Sequence, residues 1–268
     1  MPGENQPAHL STFRLRRRTP GSFLLVPCLK QGRSIRCQGQ LEAATAVILA
    51  ACPQVAHIQE QPLTIWYTWQ GETEPFQIQL LDHPPTSPRQ REPDAGSSHI
   101  VPDFLVEMAN SCKRLVEVKP SSQLAKPLVQ RKLAVGRLFA AQEGWTFHVV
   151  TEKELFHGPL LDNVRLLNRY RQGRFDSTLL EQLVLQVPPG GIRLSELLPG
   201  DGSAHRACLN MHVLHLLSTG RLSFDPYALP FNDQTLVFPG GAISWDPFDS
   251  VWAPNGCSTG GPTGSSAS

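Results

Sequence analysis

The chain has 268 residues, of which 40% are hydrophobic and 18% charged, and its formal net charge is +1. That is enough sequence for one large or two ordinary domains with real cores, and a net charge near zero neither demands nor excludes a nucleic-acid partner. Six scattered cysteines without a CxxC pair argue against a disulfide framework or a zinc site, and no apolar run approaches the length of a membrane span. With no signal peptide at its start, the sequence reads as a soluble cytoplasmic protein with free thiols.

In chain order, residues 1–19 are polar and carry the run Arg14-Leu15-Arg16-Arg17-Arg18, which predicts a disordered basic arm able to touch a DNA backbone or a partner. A short strand is expected at Phe23-Leu24-Leu25-Val26. Gln40 to Cys52, QLEAATAVILAAC, is a run of strong helix formers closed by Pro53, and Leu41, Val47, Ile48 and Leu49 make it a helix buried on most sides. Glu42 is its only charge. Strands follow at Val55–Ile58 and Pro62–Tyr67. Residues 70–99 read as weakening in order, with 82–99 a Pro/Ser-rich surface loop.

Ser98 to Pro120, SHIVPDFLVEMANSCKRLVEVKP, reads as a β-hairpin. Two apolar runs, Phe104-Leu105-Val106 and Leu115-Val116-Glu117-Val118, are joined by a polar turn at Asn110-Ser111. Its charges are placed unusually. Asp103 opens the first strand behind Pro102, Glu117 lies inside the second run, and Lys119 follows two residues on. Strand side chains alternate, so Glu117 and Lys119 share a face that Asp103 can reach from the neighbouring strand. Charges inside an apolar strand are costly unless paired or bound to a metal. Asp and Glu are hard oxygen ligands suited to Mg²⁺, and a lysine beside them can orient a water or stabilise charge on a phosphate.

Pro102-Asp103 followed by Glu117-Val118-Lys119 is the PD…ExK pattern of restriction-endonuclease-like nucleases. A carboxylate at a helix's first turn has the ordinary explanation that it favours the N-terminus. Next to these strands, Glu42 reads instead as a third metal carboxylate.

Beyond the hairpin, Leu124 to Gln142 is predicted as an amphipathic helix. Leu128, Leu133, Leu138 and Phe139 form its apolar face, and Arg131, Lys132 and Arg137 its basic side, a candidate DNA-facing surface. Gly144 stops it, Trp145–Val150 is a strand, and Thr151–Glu154 begins another helical turn. Strand, helix and strand make a βαβ crossover. Lys113 to Arg174 holds twelve Lys/Arg against five Asp/Glu, so this section is locally basic.

The ordered set QLEAA, HIQEQPLTIWY, HIVPDFLVEM, RLVEVKP and GWTFHVVTEKEL resembles the N-terminal nuclease domain of TnsA, the endonuclease subunit of heteromeric transposases, over residues 20–155. The resemblance implies catalytic acids at Glu42, Asp103 and Glu117 and a catalytic lysine at Lys119. One or two Mg²⁺ ions, replaceable by Mn²⁺, would be held by Glu42, Asp103, Glu117 and the Val118 carbonyl. It further implies cutting of the 5′ (non-transferred) strands at double-stranded transposon ends, in a bacterial cytoplasm, beside a TnsB-like transposase subunit and a TnsC-like AAA+ ATPase regulator. A stand-alone restriction or repair nuclease of the same fold and a non-catalytic transposition scaffold are the rival readings.

A second unit is expected over residues 161–240. Helices at Leu179–Leu185, Leu194–Leu198 and Ala204–Thr219 precede two strands, Arg221–Phe224 and Thr235–Val237. That order predicts a winged-helix-like α+β domain, which the TnsA resemblance also implies. Its third helix is mainly apolar, so DNA contact and protein docking both stay open. His205, His212 and His215 share no tight helical face and read as ordinary core or surface histidines. The expected whole is an α/β, restriction-endonuclease-like PD-(D/E)xK nuclease domain over 20–160, the winged-helix-like domain, and a Gly/Ser-rich tail over 241–268.

Overall fold

The computed structural model describes residues 23–71, 75–85, 95–156, 158–198, 200, 204–243 and 245–248. The basic arm of 1–19 and the tail after 248 lie outside them.

The centre is a four-stranded mixed sheet built from β3 (Val55–Glu60), β7 (Phe104–Met108), β8 (Lys113–Val118) and β9 (Thr146–Val150), in that spatial order. β7 and β8 form the expected antiparallel hairpin, with Phe104 opposite Val116 and Leu105 opposite Leu115. Its turn places Ser111 in the left-handed region at φ 65°, and the Asn110 side chain accepts from the Cys112 N–H at 3.1 Å. β9 runs parallel to β8, and the crossover between them is α2 (Pro127–Gln142), which ends where Gly144 turns at φ 70°.

One face of this sheet packs against α1 (Gln40–Ala51) and the hairpin of β1 (Leu24–Cys28) and β2 (Arg33–Cys37). Strong formers between Gly39 and Pro53 make α1, and Ile48, Leu49 and Ala50 within it are fully buried. They join Val26, Ile35, Ile58, Phe104, Val106, Val116 and Val118 in one core. The opposite face carries Leu105 and Leu115, which meet Val135, Phe139 and Ala140 of α2 in a second core. Side-chain alternation along β8 therefore sends Val116 and Val118 to the α1 side and Leu115 and Glu117 to the α2 side.

Four local expectations change. Leu128 is 53% exposed, because the helix starts at Pro127 and its buried stripe runs through Val129, Leu133, Val135, Gly136 and Phe139. Residues 82–99 are not all loop. β6 (Ala95–Ile100) and β5 (Gln77–Leu81) flank β4 (Ile65–Gln70) in a three-stranded antiparallel sheet, while 86–94 lie outside the described residues. The strand at the start of the chain has the partner β2, which sequence reading left out. Finally, α4 (Leu160–Asn168) stands where a domain boundary was expected. Its Leu160, Leu161 and Val164 enter the core on the α1 side of the central sheet, whereas Leu167 enters the core of the second unit.

The short helix α3 (Glu152–Leu155) opens with a capping box. The Thr151 side chain accepts from the Lys153 N–H, and the Thr151 N–H donates to Glu154 at 2.8 Å. The second unit then runs α5 (Ser177–Leu185), β10 (Ile192–Arg193), α6 (Leu194–Leu197), α7 (Ala204–Ser218), β11 (Leu222–Ser223) and β12 (Leu236–Pro239), with its strands ordered β10-β12-β11. Leu183, Leu194, Val213, Leu216, Leu222 and Val237 form its core. Buried Asn163 of α4 donates to Pro226 and Leu229 carbonyls and accepts from the Phe231 N–H, tying α4 to this unit.

The chain then returns to the central sheet. Asp246 pairs with Arg114 of β8 at 2.9 Å, the Trp245 carbonyl accepts from the Cys52 thiol, and Phe248 is buried in the core on the α1 side of the sheet. This short strap occupies positions that composition assigned to the tail. Among the described residues no helix is long and apolar enough to cross a membrane, and the five described cysteines are free.

Candidate active site

The site forms where β7 begins, β8 ends and α1 starts. Asp103 precedes β7 and is fixed through its backbone as well as its side chain. Its carbonyl accepts from the Gln61 N–H at 2.9 Å, and its Oδ2 accepts from the Val118 N–H at 2.7 Å. Gln61 adopts φ 45°, an uncommon left-handed conformation for a non-glycine residue, where the chain leaves β3 for Pro62. Glu117 is buried, on the α2 side of β8.

Lys119 continues the parallel pairing, its N–H donating to the Val150 carbonyl at 2.9 Å. Its ammonium is the hub of the site. Lys119 Nζ lies 2.6 Å from Glu117, 3.6 Å from Asp103 and 3.0 Å from the Val118 carbonyl. Those are three of the four groups that the sequence nominated to hold a cation. Glu42 comes in on the first turn of α1. Its Oε2 accepts from the Gln38 N–H at 2.7 Å, which ties it to the chain just before the N-cap residue Gly39 and not to the helix's own first N–H groups. Asp103 and Lys119 are also close enough to act on its charge. Burial, then the neighbouring Asp103, raises the Glu42 carboxyl above its ordinary value.

The electrostatics show a site short of positive charge. Burial, reinforced by Asp103, pushes Glu117 up to about 7 despite the lysine in contact with it. Burial likewise raises Asp103, against the pull of Lys119 and the Val118 N–H. Two carboxylates contact one ammonium, and the charge of a third, Glu42, reaches it. As placed, their oxygens are turned to protein donors, and among the described residues no three His, Cys, Asp or Glu side chains already converge as a ligand set. The donor chemistry nevertheless suits a hard divalent ion. Two buried carboxylates and a backbone carbonyl meet at the spot the ammonium now fills, and the excess negative charge is what such an ion would neutralise.

Two features escaped sequence reading. Glu152 at the start of α3 accepts from both the Ser121 N–H, at 2.8 Å, and the Ser121 hydroxyl, which fastens the segment just after Lys119. Lys132 was read only as part of a basic helix side, but its charge reaches Glu117. The register of α2 over β8 would have shown this, and that register is a tertiary fact.

His215 Nδ1 donates to the Tyr170 carbonyl and the ring stacks on Phe175, and His212 Nδ1 donates to the Cys208 carbonyl.

Residues 52–152 match the family described as TnsA-like endonuclease N terminal. The chain carries a TnsA-like endonuclease domain. The match spans Asp103, Glu117, Lys119 and Lys132, and supports nuclease chemistry in a transposition setting; Glu42 falls just before it. No curated protein matches the chain.

Proposed function

We propose that this protein is the Mg²⁺-dependent DNA endonuclease subunit of a heteromeric transposase, cutting the 5′ (non-transferred) strands at transposon ends. The observation that carries the reading is the convergence of Asp103, Glu117 and the Val118 carbonyl on the Lys119 ammonium, inside a TnsA-like domain. Asp103, Glu117 and Val118, with Glu42 from α1, would hold the ion. When bound, it supplies Lewis-acid polarisation of the scissile phosphate and acidifies the attacking water. Lys119, freed from its carboxylate contacts, positions that water and offsets charge on the phosphate. The rigid hairpin, with Asp103 clamped by Gln61 and Val118, keeps these groups pre-organised.

The order helix, strand, helix, helix, strand, strand and the β10-β12-β11 sheet support the winged-helix reading of the second unit. Its α7 does not present free cations to DNA, since Arg206 is engaged by Asp233 at 2.6 Å and by the Leu198 carbonyl. That favours docking onto the TnsB-like or TnsC-like partner over base reading.

The test is strand-resolved cleavage of a transposon-end duplex in Mg²⁺ or Mn²⁺, with and without the cognate transposase, comparing wild type with Asp103→Ala. Cuts at the 5′ ends that need both partner and Asp103 are expected. Asp103-dependent cutting without a partner would make this a stand-alone nuclease, and the absence of cutting in every mixture would leave a scaffold.

A further inference from the structure

We propose that Lys132 is a phosphate-binding residue of the nuclease site, contacting the DNA backbone beside the scissile bond; this rests on the nuclease reading above. The geometry follows from the packing of α2 on the sheet. Leu115 of β8 lies in one cluster with Val135, Phe139 and Ala140 of α2. Glu117 is two residues further along the same face of β8, or about 6.6 Å. Because α2 runs back between two parallel strands, moving that way along β8 means moving toward the start of α2. Three residues before Val135, about 4.5 Å along the helix, is Lys132. Lys132 thus stands over the end of β8 that carries Glu117.

Its own environment fits a ligand role. Of its neighbours on the helix surface, Val129, Val135 and Gly136 are buried and Leu128 is exposed, so Lys132 sits at the edge of the buried face of α2 and is itself half-buried. No hydrogen bond or ion pair with a described residue holds its ammonium. Its charge is felt at Glu117, but the close ion pair of that carboxylate is with Lys119, at 2.6 Å.

The other two cations of the helix are committed elsewhere. Arg131 stacks on Trp69 at 3.8 Å, and Arg137 lies over the Phe147 ring at 5.9 Å. Of the three, Lys132 is the cation left for a substrate, and the substrate group that meets a lysine at a nuclease centre is a backbone phosphate.

The test uses the full chain in the Asp103→Ala background, so that DNA is bound but not cut, with a 30-base-pair duplex titrated across a range of salt from about 20 mM. Removing one phosphate contact reduces the salt slope of log K by about 1. Lys132→Ala is expected to lower the slope by that amount and weaken binding at low salt, Lys132→Arg to keep the slope, and neither to lower the melting temperature. In the Asp103-intact protein, Lys132→Ala is expected to reduce kcat/KM for cleavage at least tenfold.

An unchanged slope in Lys132→Ala would overturn the proposal. So would a loss of binding that Lys132→Arg shares, or one that tracks a lower melting temperature. Failure of the Asp103→Ala parent to bind duplex at any salt, with the cognate transposase present as well as without it, would instead sink the nuclease reading on which this rests.

Discussion

Lys119 and Glu117 form the closest ion pair of the site, 2.6 Å from ammonium to carboxylate, on the same face of one strand. The pair is asymmetric. Lys119 is also shared with Asp103 and the Val118 carbonyl, so each acid receives only part of its charge. Taking the lysine away leaves buried carboxylates with no cation, which is costlier than losing one surface ion pair. Lys119→Ala is therefore expected to abolish cleavage, by about 100-fold or more, while keeping the native fold. Its melting temperature should drop by several degrees at pH 8, where the acids are ionised, and by much less at pH 5. Circular dichroism melts beside a cleavage assay check this, and an equal drop at both pH values would argue that Lys119 acts mainly through packing.

The same charge shortage makes stability depend on pH. Glu117 ionises near its ordinary 4.5 in the unfolded chain but is pushed up to about 7 in the folded one, by burial and by Asp103. Its protonated form therefore favours folding fully below about 4.5, and that contribution is lost as pH rises through about 7. Without a divalent ion, the protein should melt a few degrees lower at pH 8 than at pH 5. Glu117→Gln should flatten that difference, and millimolar Mg²⁺ should raise the melting temperature of wild type at pH 8 but hardly at pH 5. A Mg²⁺ response that Glu117→Gln retains in full would move the ion away from this carboxylate.

What sequence could show of this fold depended on how local each cause was. The α1 helix was legible because its strong formers lie between Gly39 and Pro53, and the β7–β8 hairpin because Phe104–Val106 and Leu115–Val118 flank an Asn-Ser turn. Ala95–Ile100 was not legible, since AGSSHI has little strand propensity and becomes β6 by pairing with β4 along its whole length. Leu160, Leu161, Val164 and Leu167 do show a helical spacing, but the expected domain boundary hid it, and α4 serves both cores. Asp103, Glu117 and Lys119 could be named from one hairpin because strand alternation fixes their common face. Lys132 could not, because nothing local sets how α2 lies over β8.

The strap after β12 is expected to contribute to the stability of the nuclease unit. Asp246 takes both terminal nitrogens of Arg114, at 3.0 and 2.9 Å, and both side chains are less than a third exposed. Phe248 adds its ring to the core, against His148 at 4.5 Å and under the Arg114 guanidinium at 4.8 Å. Asp246→Ala should lower unfolding free energy by about 1.5–3 kcal/mol, the range for hydrogen bonds to charged groups. Chemical denaturation of Asp246→Ala, Arg114→Ala and the double variant would measure the coupling, and additive losses would mean that the pair itself contributes nothing.

Gly136 tests whether the close approach of α2 to β9 sets the helix position. A glycine inside a 16-residue helix ordinarily costs about 1 kcal/mol against alanine, so Gly136→Ala ought to stabilise an isolated helix. Here an added Cβ would lie 2.4 Å from Cε2 and 2.8 Å from Cζ of Phe147 on β9. The ring is half-buried and packed under α2, so relief requires moving the ring or lifting the helix. Overpacking of this kind costs about 1–3 kcal/mol, which outweighs the propensity gain. Gly136→Ala is expected to lose about 1–2 kcal/mol in urea unfolding, and a second change, Phe147→Leu, should recover part of that loss by clearing the space. Because Lys132 rides one turn earlier on the same helix, the single variant should also weaken DNA binding, and the double variant should restore it. A stabilised Gly136→Ala protein would show that β9 yields to the helix, so that this contact does not fix the height of Lys132 above Glu117.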